Sequence, residues 1–137
     1  MSIGILLMTH PGVGTALLAT ASRLLAVCPT RIRCLDVPVD ANPDTILMQA
    51  SREMLELDDG EGVLVLTDAY GSTPSNIACR LAEDHFAKVV SGLNLPMLIR
   101  VFNYFTEDLD TLSRKAVKGG IRGIQAFDAG DNYCAAS

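Results

Sequence analysis

Gly62-Val63-Leu64-Val65-Leu66-Thr67-Asp68 is the stretch that decides the fold. Four aliphatic residues run in succession, entered through a glycine and left at an acid. That pattern is a central strand in a sheet covered on both faces, where both sides of the pleat must be apolar. Upstream, Asn42-Pro43 reads as a helix start: a side-chain cap, then a residue that lacks the unneeded N–H. The helix runs to about Leu57 with Leu47, Ala50, Met54 and Leu57 on its inner face, and Asp58-Asp59-Gly60 ends it. Downstream comes a loop from Asp68 to Ser72. Thr73-Pro74 then repeats the cap-plus-proline start of a helix through Ala78, Leu81 and Ala82.

The flanks continue this alternation. Ile3 to Met8 reads as a buried strand, and Thr15 to Val27 as a helix with Leu17, Leu18, Ala21, Leu24 and Leu25 on one stripe. Arg31 to Val37 is a second strand and Ala87 to Ser91 a fourth. Leu95 to Phe105 and Asp108 to Lys118 read as helices, Gly119-Gly120 as a break, and Ile121 to Phe127 as a short last edge strand. Strand and helix in alternation predict a single doubly wound, mainly parallel α/β sheet in the order 2-1-3-4. The expected domain is residues 1–127, with 128–137 a loose tail.

Composition supports one aliphatic core. Of the 137 residues, 49% are hydrophobic but only 5% are aromatic, with no Trp. The net charge of −5 argues against a generic nucleic-acid binder, which needs clustered Lys and Arg. Cys28, Cys34, Cys79 and Cys134 form no CxxC pair and lie at no metal-ligand spacing from a His, so they read as reduced thiols. The N-terminus lacks a basic signal-peptide region, and no segment approaches the ~20 apolar residues of a membrane span. A cytoplasmic protein without membrane insertion is expected.

Strand order 2-1-3-4 puts the first and third strands side by side, with their following helices on opposite faces. Ligands and chemistry collect at that divide, beyond the carboxyl ends of the strands. The loops that exit there are Thr9-His10-Pro11-Gly12-Val13-Gly14 and Asp68-Ala69-Tyr70-Gly71-Ser72-Thr73. A neutral imidazole attacks phosphorus through one nitrogen when the other carries the proton. A carboxylate accepting that N–H holds the ring and stabilises the positive charge that develops. His10 and Asp68 are therefore the candidate catalytic pair, with Nδ1 to Asp68 and Nε2 to phosphorus. Phosphate contacts are expected from Gly12 and the amides near it, from the helix start at Thr73 to Ser75, and from the hydroxyl of Ser72 or Thr73. The glycines form neither a P-loop nor a dinucleotide fingerprint, and Asp68 has no second carboxylate in its loop. No metal and no cofactor are expected. Tyr70 reads as a lid or a partner-docking aromatic, and His85 as a helix-end residue.

Three blocks resemble the mannose-type IIA component of the phosphoenolpyruvate-dependent sugar phosphotransferase system (PTS). They are Ile3-Gly4-Ile5-Leu6-Leu7-Met8-Thr9-His10, Val63 to Asp68 continuing through Tyr70-Gly71-Ser72-Thr73-Pro74-Ser75-Asn76, and Ser91-Gly92-Leu93-Asn94-Leu95-Pro96-Met97-Leu98. The resemblance implies a phosphohistidine at His10 with Asp68 holding its imidazole. It implies the histidine-containing phosphocarrier protein HPr as donor, a IIB component as acceptor, and association with a membrane permease complex. It also implies a homodimer made by exchanging a C-terminal strand, for which Ile121 to Phe127 is the candidate. Pro11 stands where many relatives have Gly, and Gly71-Ser72-Thr73 where Gly-Gly-Ser is common. No IIB domain follows in this sequence, so the acceptor is expected on another chain or is absent altogether. Two alternatives accompany this reading: a regulatory PTS protein whose His10 phosphorylation controls partner binding, and the phosphocarrier subunit of a dihydroxyacetone kinase.

Overall fold

The computed structural model describes residues 2–130. The expected tail therefore lies outside the described residues from Asp131 onward, and Cys134 with it. In chain order the elements are β1 (Gly4–Thr9), α1 (Val13–Leu24), β2 (Ile32–Asp36), α2 (Pro43–Leu57), β3 (Val63–Thr67), α3 (Thr73–Glu83), β4 (Ala87–Ser91), α4 (Leu95–Tyr104) and α5 (Leu109–Arg122). The strands form one sheet in the order β2-β1-β3-β4, parallel throughout, as the alternation predicts.

Every residue of β1 and β3 is buried, whereas β2 and β4 are partly exposed. The central strands alternate their side chains between two cores. Ile5, Leu7, Leu64 and Leu66 pack with Ala21 of α1, Leu98, Val101 and Phe102 of α4, and Leu112 and Ala116 of α5. Leu6, Met8, Val63 and Val65 pack on the other face with Ile46, Ala50, Met54 and Leu57 of α2 and Ile77, Ala78 and Leu81 of α3. Each fully buried aliphatic side chain contributes about 1.5–3 kcal/mol, so the two central strands anchor both helical layers.

α2 starts as read: the Asn42 side chain accepts the Asp44 N–H at 2.9 Å, with Pro43 in the first turn. Its buried stripe runs through Ile46 rather than Leu47, which is only partly covered. α1 starts at Val13 and stops at Leu24, earlier than expected at both ends. Leu25 is already extended, Leu24 is exposed, and Pro29 follows closely. The N-cap of α3 is Ser72 and not Thr73, which occupies the first helical position.

Two expectations at the C-terminal end are corrected. Gly119-Gly120 does not break the chain; α5 runs through both to Arg122. These glycines are where α5 meets α4. A Cβ at Gly119 would stand 2.6 Å from Arg100 Cβ, one at Gly120 2.9 Å from Met97 Cε, and one at Gly123 2.3 Å from Pro96 Cβ. Close helix crossing, not helix termination, is what they serve. The edge strand expected at Ile121 to Phe127 is absent: Ile121 and Arg122 end the helix, and the residues beyond pair with no strand among the described residues. The crossing is clamped by Asn94, whose Oδ1 caps α4 by accepting Met97 N–H at 2.9 Å while its Nδ2 donates to Gly120 O at 3.2 Å.

Among the described residues no helix is long and apolar enough to cross a membrane.

Candidate functional site

β1 and β3 are adjacent, and the register Met8↔Thr67 brings the two chain exits together. His10 leaves β1 one residue beyond Thr9, and Asp68 leaves β3 immediately after Thr67. Their side chains meet: His10 Nδ1 lies 2.8 Å from Asp68 Oδ2. The same carboxylate oxygen accepts the His10 backbone N–H at 3.1 Å, so Asp68 grips this residue by ring and main chain together. The carboxyl group is 12% exposed and the imidazole 38%, so the acid is enclosed while the ring reaches the surface. Asp68 Oδ1 is buried with no hydrogen-bond partner.

A carboxylate only accepts, so the contact places the imidazole proton on Nδ1 and leaves a lone pair on Nε2. Among the described residues Nε2 has no hydrogen-bond partner. His85, the other histidine, precedes β4 at the amino edge of the sheet, away from this exit.

Thr9 builds the turn. The residue is 1% exposed, and its hydroxyl donates to His10 O at 2.8 Å and accepts the Gly14 N–H at 2.9 Å. Val13 N–H also donates to His10 O, at 3.2 Å. Gly12 caps α1 with φ of +87°, a left-handed conformation that disfavours any other residue. Its N–H points to Asp36 Oδ1 at 3.3 Å, across from the end of β2.

In the second loop Ser72 turns its hydroxyl back onto Ala69 O at 2.5 Å, so this group closes the turn. The N–H groups of Thr73 and Ser75 and the Thr73 hydroxyl lack partners among the described residues, leaving the N-terminal donors of α3 available. The Ser75 side chain is instead buried against Ser91 Oγ at 3.1 Å, and Ser91 Oγ accepts from Thr67 Oγ1 at 2.8 Å. This hydroxyl chain ties the first turn of α3 to the ends of β3 and β4. Tyr70 is 90% exposed beside Asp68.

The fold thus unites His10 with Asp68 and directs Gly12 and Ser72 to protein acceptors. The side-chain roles of Thr9, Asp36, Ser75 and Ser91 escape sequence reading because they depend on neighbours outside their own strand or helix. Only the placement of Thr9 and Asp36 at strand ends hints at them. No group of three or more His, Cys, Asp or Glu that could hold a metal ion occurs among the described residues.

Residues 4–117 match the EIIA-man family model, PTS system fructose IIA component. The chain is 32% identical over 133 residues to the PTS system mannose-specific EIIAB component of Escherichia coli (strain K12), an alignment covering 94% of this chain and 41% of that protein. It is 29% identical over 122 residues to the transcriptional regulatory protein LevR of Bacillus subtilis (strain 168), covering 85% of this chain and 13% of the regulator. The chain therefore spans less than half the length of either relative. In three dimensions it resembles phosphotransferase system component EIIA from Streptococcus agalactiae, with a TM-score of 0.80, 28% identity, and coverage of 91% of this chain and 97% of that one.

Proposed function

The chain belongs to the EIIA-man family of PTS IIA components, and on that premise we propose that it is a phosphocarrier which takes a phosphoryl group onto His10 Nε2 from phospho-HPr. The observation that carries the proposal is the 2.8 Å contact between Nδ1 and Asp68 Oδ2 beneath a ring that reaches the surface. In the transfer, a donor phosphohistidine protonated on its other ring nitrogen loses its P–N bond as a P–N bond to His10 Nε2 forms, so the donor leaves as a neutral imidazole and His10 keeps its Nδ1 proton. Positive charge develops on the His10 ring, and Asp68 stabilises it without moving.

The dianionic phosphoryl group needs donors. The unpartnered N–H groups of Thr73 and Ser75, the Thr73 hydroxyl and the positive end of the α3 dipole supply them. Ser72 contributes through its position at the N-cap, and Gly12 when its N–H is released from Asp36. Onward transfer to a IIB component completes the relay in the cytoplasm, with no cofactor. The name of the Escherichia coli relative, which joins A and B components, supports that acceptor. Tyr70 fits a docking contact for either partner. A homodimer belongs to the same reading; exposed Ile121 and Ile124, at 64% and 73%, are apolar surface for it. The match to LevR favours a second reading, in which the same phosphorylation controls a partner rather than feeding sugar uptake. Onward transfer to IIB separates the two.

Incubation with phosphoenolpyruvate, enzyme I and HPr should give the protein an acid-labile phosphate, and His10→Ala should abolish it. Equal labelling of both proteins would end the case.

A further inference from the structure

The N-terminus of α1 is capped in an unusual way. Gly12 has no side chain to cap with, and the first turn holds no acidic residue. Of the first three amides, two turn to acceptors in the same loop: Val13 N–H to His10 O and Gly14 N–H to Thr9 Oγ1. The third, from Gly12, goes to a charged side chain on another strand, Asp36 Oδ1, at 3.3 Å. Asp36 stands opposite Thr9 in the β1–β2 register, and the ladder continues past it as Val37 N–H donates to Thr9 O at 2.9 Å. Parallel strands lie about 4.8 Å apart. His10, one residue beyond Thr9, therefore emerges with a carboxylate at the exit of each neighbouring strand.

The two acids differ in kind. Asp68 is enclosed and bonded to the ring at 2.8 Å. Asp36 is exposed and holds one amide at a distance near the long limit for N–H···O bonds. A contact of that length on a solvated side chain is readily exchanged. The amide it occupies sits two residues from His10, at a helix N-terminus of the kind that attracts phosphate oxygens.

We propose that Asp36 is an internal competitor for the phosphoryl group: it holds the Gly12 N–H while His10 is free, is displaced when His10 is phosphorylated, and repels the dianion thereafter. The proposal rests on phosphorylation of His10 as argued above. Both effects raise the phosphorylated state relative to the free one. They keep the phosphoryl group transferable, where an unopposed helix terminus would bind it more tightly. Asp36 is a positioning residue, since it acts through the Gly12 amide and through charge.

Asp36→Asn keeps an acceptor oxygen and removes the charge; Asp36→Ala removes both. With phospho-HPr and HPr at fixed ratio, the equilibrium fraction of phosphorylated protein is measured by 31P NMR. Asp36→Asn should shift the equilibrium constant toward the phosphorylated chain by roughly two- to fivefold at low salt, the span of exposed charge interactions. The gain should shrink as ionic strength rises. In the wild type, the Gly12 amide resonance should move when His10 is phosphorylated. A wild type that labels normally while Asp36→Asn gives the same equilibrium, or while the Gly12 resonance stays in place, overturns the proposal and leaves the phosphocarrier reading intact. A shift in Asp36→Ala alone also overturns it, because the side chain would then only brace the loop. A wild type that takes no label overturns both.

Discussion

Replacing Asp68 by Asn is the most informative perturbation of the site, because the amide is wrong in either orientation. The oxygen at the Oδ2 position accepts two N–H groups, from the His10 backbone at 3.1 Å and from Nδ1 at 2.8 Å. If the Asn oxygen sits there, both bonds survive without charge, and the NH2 falls at the Oδ1 position. That position is buried and has no partner. If the amide flips, NH2 faces the His10 N–H, two donors together, and the ring must accept at Nδ1. The proton then moves to Nε2, the nitrogen that should attack. The first orientation exchanges a charge-assisted hydrogen bond for a neutral one, a difference of about 1–1.5 kcal/mol. Expressed wholly in the transition state, that is roughly a 5- to 13-fold loss of rate. The flipped orientation adds to the loss by removing the reactive tautomer. Single-turnover transfer from radiolabelled phospho-HPr, stopped by rapid quench, reads this directly, with thermal unfolding as the control for folding. A rate within twofold of wild type would refute the reasoning. So would a rate loss fully matched by loss of native structure.

Two further outcomes test the scaffold around the site. Gly119→Ala should destabilise the protein by about 1–3 kcal/mol in urea unfolding through overpacking, because the added Cβ meets Arg100 Cβ at 2.6 Å. Helix propensity alone would favour Ala by up to about 1 kcal/mol, so a stabilised variant would refute the close α4–α5 crossing; Gly130→Ala, with open space around it, is the neutral control. Burial pushes the Cys34 thiol above its ordinary value, opposed by a hydrogen bond from Thr15 and aided by Asp36. A raised pKa leaves less thiolate at a given pH, so mass spectrometry of iodoacetamide labelling near pH 8 should find Cys34 slower than exposed Cys28 and Cys79.

Local chemistry made much of this protein legible as a string of residues. β1 and β3 announced themselves by apolar runs, α2 by Asn42-Pro43 and its stripe, and the strand–helix alternation gave the order 2-1-3-4. These signals lie within one element, where period and capping are set by neighbours in the chain. The pairing of His10 with Asp68 was reachable through topology, since adjacent parallel strands must deliver their exits to the same edge. Tertiary structure alone decided the rest. Gly119-Gly120 resembled a break, because glycine's poor helix propensity is visible in sequence while the surface of α4 is not. The contact between Asp36 and Gly12 spans 24 residues and two strands. Ser75 and Ser91 meet across 16 residues, in a buried space that no periodicity reports. Long-range contacts between single polar groups carry no repeating pattern; they exist only once the sheet has set the register.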